Sequence, residues 1–71
     1  MNVEQVISVV EKWIENPEAV SKKELKAAYE VYAHAALYTA RAASFAASSA
    51  MYGHTDGAKH WVAEYHKSIN D

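Results

Sequence analysis

The sequence has no cysteine, one proline, one phenylalanine and two glycines in 71 residues. Without thiols, neither a disulfide nor a thiolate metal site can staple the fold, so stability has to come from packing. A chain this short stands near the lower limit at which one hydrophobic core suffices. One domain, residues 1–71, is therefore expected, and each large apolar side chain carries weight. Positive charge is scarce too: seven basic against nine acidic side chains give a formal net charge of -2. The basic residues are scattered apart from Lys22, Lys23 and Lys26. A nucleic-acid backbone calls for a clustered basic surface, so no nucleic-acid partner is expected. Long apolar runs are missing as well. The Ala-rich residues 27–50 include Glu30, His34, Arg41 and several hydroxyls, which argues against a bilayer span and a membrane partner. The opening MNVEQVISVVEKW carries acids where a signal peptide would have basic residues, so a cytoplasmic location is expected.

What is present is helical periodicity. Val3, Val6, Ile7, Val10 and Ile14 fall on one helical face, widened by Trp13, while Glu4, Gln5, Ser8, Glu11, Lys12 and Glu15 fall largely on the other. Asn2 with Gln5 forms a capping-box pattern, and Pro17 ends the segment by biasing Asn16 away from helical geometry. A first helix is expected over about residues 3–16. Ser21 with Glu24 forms a second capping box ahead of a run that meets no Gly or Pro until Gly53. The spacing predicts one continuous helix over about residues 22–52, roughly 46 Å long at 1.5 Å per residue. Gly53 is its natural C-terminal stop, and Thr55 or Asp56 a natural start for the next helix. In that last helix, about residues 56–69, Ala58, Trp61, Val62, Tyr65 and Ile69 share a face. The expected fold is all-α: one long central Ala-rich helix flanked by two short antiparallel amphipathic helices.

Two flanking helices of about 20 Å cannot cover every side of one of about 46 Å. On the long helix, Lys26, Glu30, His34, Arg41, Ser44 and Ser48 mark the expected water-facing line. The opposite side reads Leu25, Ala28, Tyr29, Tyr32, Ala36, Thr39, Ala43, Ala47 and Ala50. Small residues four apart let helices approach closely. They serve either to seat Trp13 and Trp61 or to pair the helix with a copy of itself, and a homodimer is the expectation. Tyr38, Phe45 and Tyr52 lie away from the core stripe; they either widen the core, line a dimer seam or, if exposed, serve as rigid aromatic anchors for a partner protein. The candidate interface is thus Tyr29, Tyr32, Ala36, Tyr38, Ala43, Phe45, Ala47, Ala50 and Tyr52.

Chemistry-bearing patterns are weak. Glu30 with His34, and His60 with Glu64, are four apart and read best as solvated pairs. A metal or small-ligand site built from His54, His60, Glu64 and His66 is a minor alternative, since no HExxH or similar pattern occurs. The serines and tyrosines lack a nucleophile elbow with a base and an orienting acid, and the glycines match no phosphate loop. No catalytic residues, no cofactor and no enzyme activity are expected.

The stretch KWIENPEAVSKKELKAAYEVYAHAALYTARAA, residues 12–43, resembles the small Ala/Tyr-rich helical proteins of bacteriophages in its Trp-containing short helix, N-P turn, capped Lys/Glu segment and regular Ala and Tyr. The resemblance implies a small phage protein made in the host cytoplasm. By analogy it also implies a non-enzymatic binding protein that inhibits or modulates a host protein, such as an anti-defence, anti-CRISPR-like protein. A structural or assembly module that self-associates through the Ala-rich helix is the alternative.

Overall fold

The computed structural model describes residues 1–70 and is all-helical, with four α-helices. Helix α1 spans Val3–Glu15, α2 Lys22–Val31, α3 Tyr38–Met51 and α4 Thr55–Asn70, with a single 3₁₀ turn at Pro17–Ala19. Both expected capping boxes form. Asn2 accepts from the Gln5 amide while Gln5 accepts from the Asn2 amide, and Ser21 and Glu24 exchange the same pair of bonds. Asn16 ends α1 in an extended conformation and accepts from the Glu18 amide, as the following proline favours.

The continuous helix over residues 22–52 does not form. The chain leaves helical geometry at residues 32–37, so there are four helices rather than three. The longest dimension of the molecule, 32 Å, could not hold a helix of about 46 Å. The break contains no Gly or Pro, and Leu37, the N-cap of α3, supplies no side-chain cap. Local propensity favours continuation there, and tertiary packing overrides it. Folding back lets Leu25 and Ala28 of α2 bury against the alanines of α3. It also frees the last carbonyls of α2 from helical amides. Ser44 Oγ donates to one of them, Tyr29 O, at 2.9 Å. Ser44 is therefore a core residue, 1% exposed, and not part of a water-facing line.

The helices run up, down, up, down. Tyr32 Oη donates to Met1 O at 3.4 Å, placing the end of α2 beside the start of α1. The Ser44 bond sets α2 antiparallel to α3, and Thr39 to Ser68 at 3.0 Å sets α3 antiparallel to α4. Among the described residues α3 touches all three other helices, whereas α2 and α4 do not touch. In an ordinary square bundle α1 and α3 would sit diagonally apart. Here α1 packs more extensively on α3 than on either of its antiparallel neighbours. Alanine makes this possible, because Ala42, Ala43, Ala46 and Ala47 are fully buried and Ala40 and Ala50 nearly so. Their short side chains let Val6, Ile7, Val10 and Trp13 of α1 and Val62 and Tyr65 of α4 close on one helix from different sides.

At the α3–α4 turn, Gly53 has φ of +74°, the left-handed region that L side chains avoid. No atom lies within 4 Å of a Cβ built there. Gly53→Ala is thus expected to cost about 1–2 kcal/mol from backbone strain alone, with no packing loss. A urea-denaturation midpoint shift against wild type checks it, and an unchanged midpoint would contradict the turn geometry.

Candidate protein-docking face

With three sides of α3 covered, one narrow ribbon of it faces outward. Tyr38, Arg41 and Tyr52 are exposed and Phe45 and Ser48 half-buried, at spacings of three, four, three and four residues. That is the a/d spacing of a helix seam, with an aromatic ring at every seventh position: Tyr38, Phe45 and Tyr52. Tyr52 is 66% exposed and Tyr38 51%. Neighbouring side chains hold the ribbon in shape. Arg41 Cζ lies 5.5 Å from the Phe45 ring centroid, Phe45 packs on Trp61 of α4 with centroids 4.9 Å apart, and His60 meets Trp61 edge-on at 5.0 Å. Tyr38 Oη donates to Glu64 Oε1 at 3.3 Å. Desolvation, then the Glu64 charge and the hydrogen bond to it, raise the Tyr38 phenol above its ordinary value of 10.0.

The expected interface residues divide into three groups. Tyr38, Phe45 and Tyr52 stand together on the ribbon. Ala43, Ala47 and Ala50 are buried within the chain itself, so the Ala-rich seam is filled by α1, α2 and α4 and presents no face to a second molecule. Tyr29 and Tyr32 are half-buried against the core, and Ala36 is exposed in the α2–α3 link, outside α3. Arg41, Ser48 and Trp61 belong to the ribbon but were not among the expected residues. The seven-residue recurrence of Tyr38, Phe45 and Tyr52 was the signal that could have found the first two. The spacing in α4 puts Trp61 on the core stripe, and in the fold it is half-buried.

The His54, His60, Glu64 and His66 set is not brought together. His60 turns to Trp61, Glu64 to Tyr38, and His66 to Glu11 on α1 at 3.3 Å. No group of three His, Cys, Asp or Glu residues poised to hold a metal occurs among the described residues. The Glu11–His66 pair crosses the α1–α4 seam with both side chains half-exposed, a setting in which ion pairs contribute little. Beside it lies an open depression of about 370 Å³ lined by Glu11, Ile14, Lys59, Val62, Ala63 and His66. Among the described residues no helix is long and apolar enough to cross a membrane.

Tyr65, on the α4 face toward α1, is 5% exposed. Burial first, then the charges of Glu4 and Glu11, push its phenol above 10.0. A raised folded-state value means the folded chain holds the proton more tightly than the unfolded one. Its stabilisation is therefore fully present below about pH 10 and declines as pH rises through the folded value. The urea midpoint should fall between about pH 9.5 and about pH 11, and less steeply in Tyr65→Phe. Equal slopes in the two proteins would remove Tyr65 from that role.

Compared with family models, curated proteins and solved structures, the chain shows no match. Its fold defines it as a four-helix, all-α domain, and the ribbon is its best-formed candidate site.

Proposed function

We propose that the chain is a non-enzymatic helical protein-binding module whose working surface is the α3 ribbon with Trp61. The observation that carries this reading is the row of Tyr38, Phe45 and Tyr52 on one outward face, with Arg41 between them. Tyr, Trp and Arg dominate the energetics of protein interfaces, because they offer large contact area at low entropic cost. A ring held by its neighbours, as Phe45 is by Trp61 and Arg41, loses little further freedom on binding. The phage-like layout of residues 12–43 suggests the kind of partner: a host protein inhibited or modulated by occupation of its functional surface, such as a nuclease-containing defence complex in the host cytoplasm.

The test is affinity capture from bacterial lysate with wild type and with the double variant Tyr38→Ala/Tyr52→Ala. Both rings are exposed, so the variant is expected to keep its thermal midpoint within about 0.5 kcal/mol of stability and to lose the captured partner. A variant that still captures the partner, or that melts much earlier, would sink the reading: the first by separating the rings from binding, the second by making them core.

A further inference from the structure

We propose that the ribbon pairs with a second copy of this chain, α3 against α3 in antiparallel order, an inference that rests on reading the ribbon as a docking face. A two-fold dimer needs a patch complementary to its own rotated image. From Arg41 to Phe45, Ser48 and Tyr52 the steps are four, three and four residues, and they read the same in reverse. Two antiparallel copies therefore fall into register, with Arg41 opposite Tyr52 of the second copy and Phe45 opposite Ser48 of the second copy. Each layer is complementary: a guanidinium meets a ring face at the two ends, and a large ring meets a small hydroxyl residue in the middle.

Parallel order does the opposite. It would bring Arg41 against Arg41, placing like charges together in the seam, and Phe45 against Phe45 beside an underfilled Ser48 layer. The antiparallel register covers Tyr52, the most exposed aromatic of the ribbon. It leaves out Tyr38, whose hydroxyl is already engaged by Glu64 of its own chain. Arg41 forms no ion pair among the described residues, and its stacking on Phe45 of its own chain at 5.5 Å holds the guanidinium on the seam, beside the ring of the second copy. The buried alanines take no part, and the seam lies on the face of α3 that they leave outward.

The chain has no cysteine, so a single introduced thiol reports position without interference. Light scattering from about 1 µM to about 100 µM, a range that brackets a micromolar dissociation constant, should show the 7.9 kDa chain approaching twice its mass. Arg41→Cys mixed with Tyr52→Cys should oxidise to a mixed disulfide dimer in several-fold excess over either variant alone, since each position lies about 16 Å along the seam from its own copy in this register. Circular dichroism confirms that these surface variants fold. A wild-type chain that stays monomeric across the range overturns self-pairing, and efficient cross-linking of Arg41→Cys or of Tyr52→Cys with itself overturns the antiparallel order. If the chain is monomeric while host-protein capture still depends on Tyr38 and Tyr52, self-pairing fails and the docking-face reading stands.

Discussion

Trp13→Ala should abolish cooperative folding near room temperature. Trp13 is the largest side chain in the core, 7% exposed on α1 and packed in the cluster shared with α3 and α4. Truncating a buried Trp costs about 3–5 kcal/mol, because the transfer energy is lost and the cavity collapses only in part. Collapse is hard here. Many of the surrounding residues are alanines and valines, which have no long side chains to swing into the space. A single-core domain of this size has only about 3–5 kcal/mol in total, so the loss is comparable with the whole stability. Circular dichroism at 222 nm against temperature is the measurement. A sigmoidal melt displaced by less than about 10 °C, worth about 1–2 kcal/mol at this length, would show that Trp13 is not central to the core.

Ala46→Leu should also be severe, for the opposite reason. Ala46 is fully buried on α3, which touches the three other helices. A larger side chain there has no direction in which to relax without separating two helices, and overpacking costs about 1–3 kcal/mol or more. Helix propensity does not confuse the comparison, since Leu and Ala are both strong helix formers. Ala27→Leu supplies the control, because Ala27 is exposed on α2 and has space. The expected result is a melting midpoint lowered by about 4–8 °C for each kcal/mol in Ala46→Leu and unchanged within a few degrees in Ala27→Leu. Equal midpoints would mean that the alanines of α3 are spacers on a bare surface rather than seats for neighbouring helices.

The alanines thus take the first of the two roles that their spacing allows, seating neighbouring helices within the chain. Eleven of them in residues 27–50 read as one long, sparsely covered helix, and from that came the expectation of a seam between two copies. The fold places Ala42, Ala43, Ala46, Ala47 and Ala50 inside the chain, where smallness brings α1 across the bundle diagonal. Coverage is supplied by the chain's own first half of the expected long helix, folded back as α2. Residues 32–37, YAHAAL, carry no breaker, so nothing local distinguishes the bend from the helix around it. Ser44 shows the same limit. Its spacing from Arg41 and Ser48 puts it on a polar line, yet it is buried because a carbonyl released by the bend needs a donor.

By itself, the sequence determined everything that depends on contacts within a few residues. The all-helical class follows from periodicity. The starts of α1 and α2 follow from the Asn2–Gln5 and Ser21–Glu24 capping boxes, the end of α1 from Pro17 and the end of α3 from Gly53. That Tyr38 and Tyr52 lie off the apolar stripe was also legible, while their exposure was decided by the fold. Only the tertiary structure decided that the Ala-rich run is two helices, that its alanines are covered by the chain's own helices and that Trp61 joins the aromatic ribbon. The reason is energetic. A propensity difference of a few tenths of a kcal/mol per residue is small beside the apolar area buried when α2 turns back on α3, and that area exists only once the helices meet.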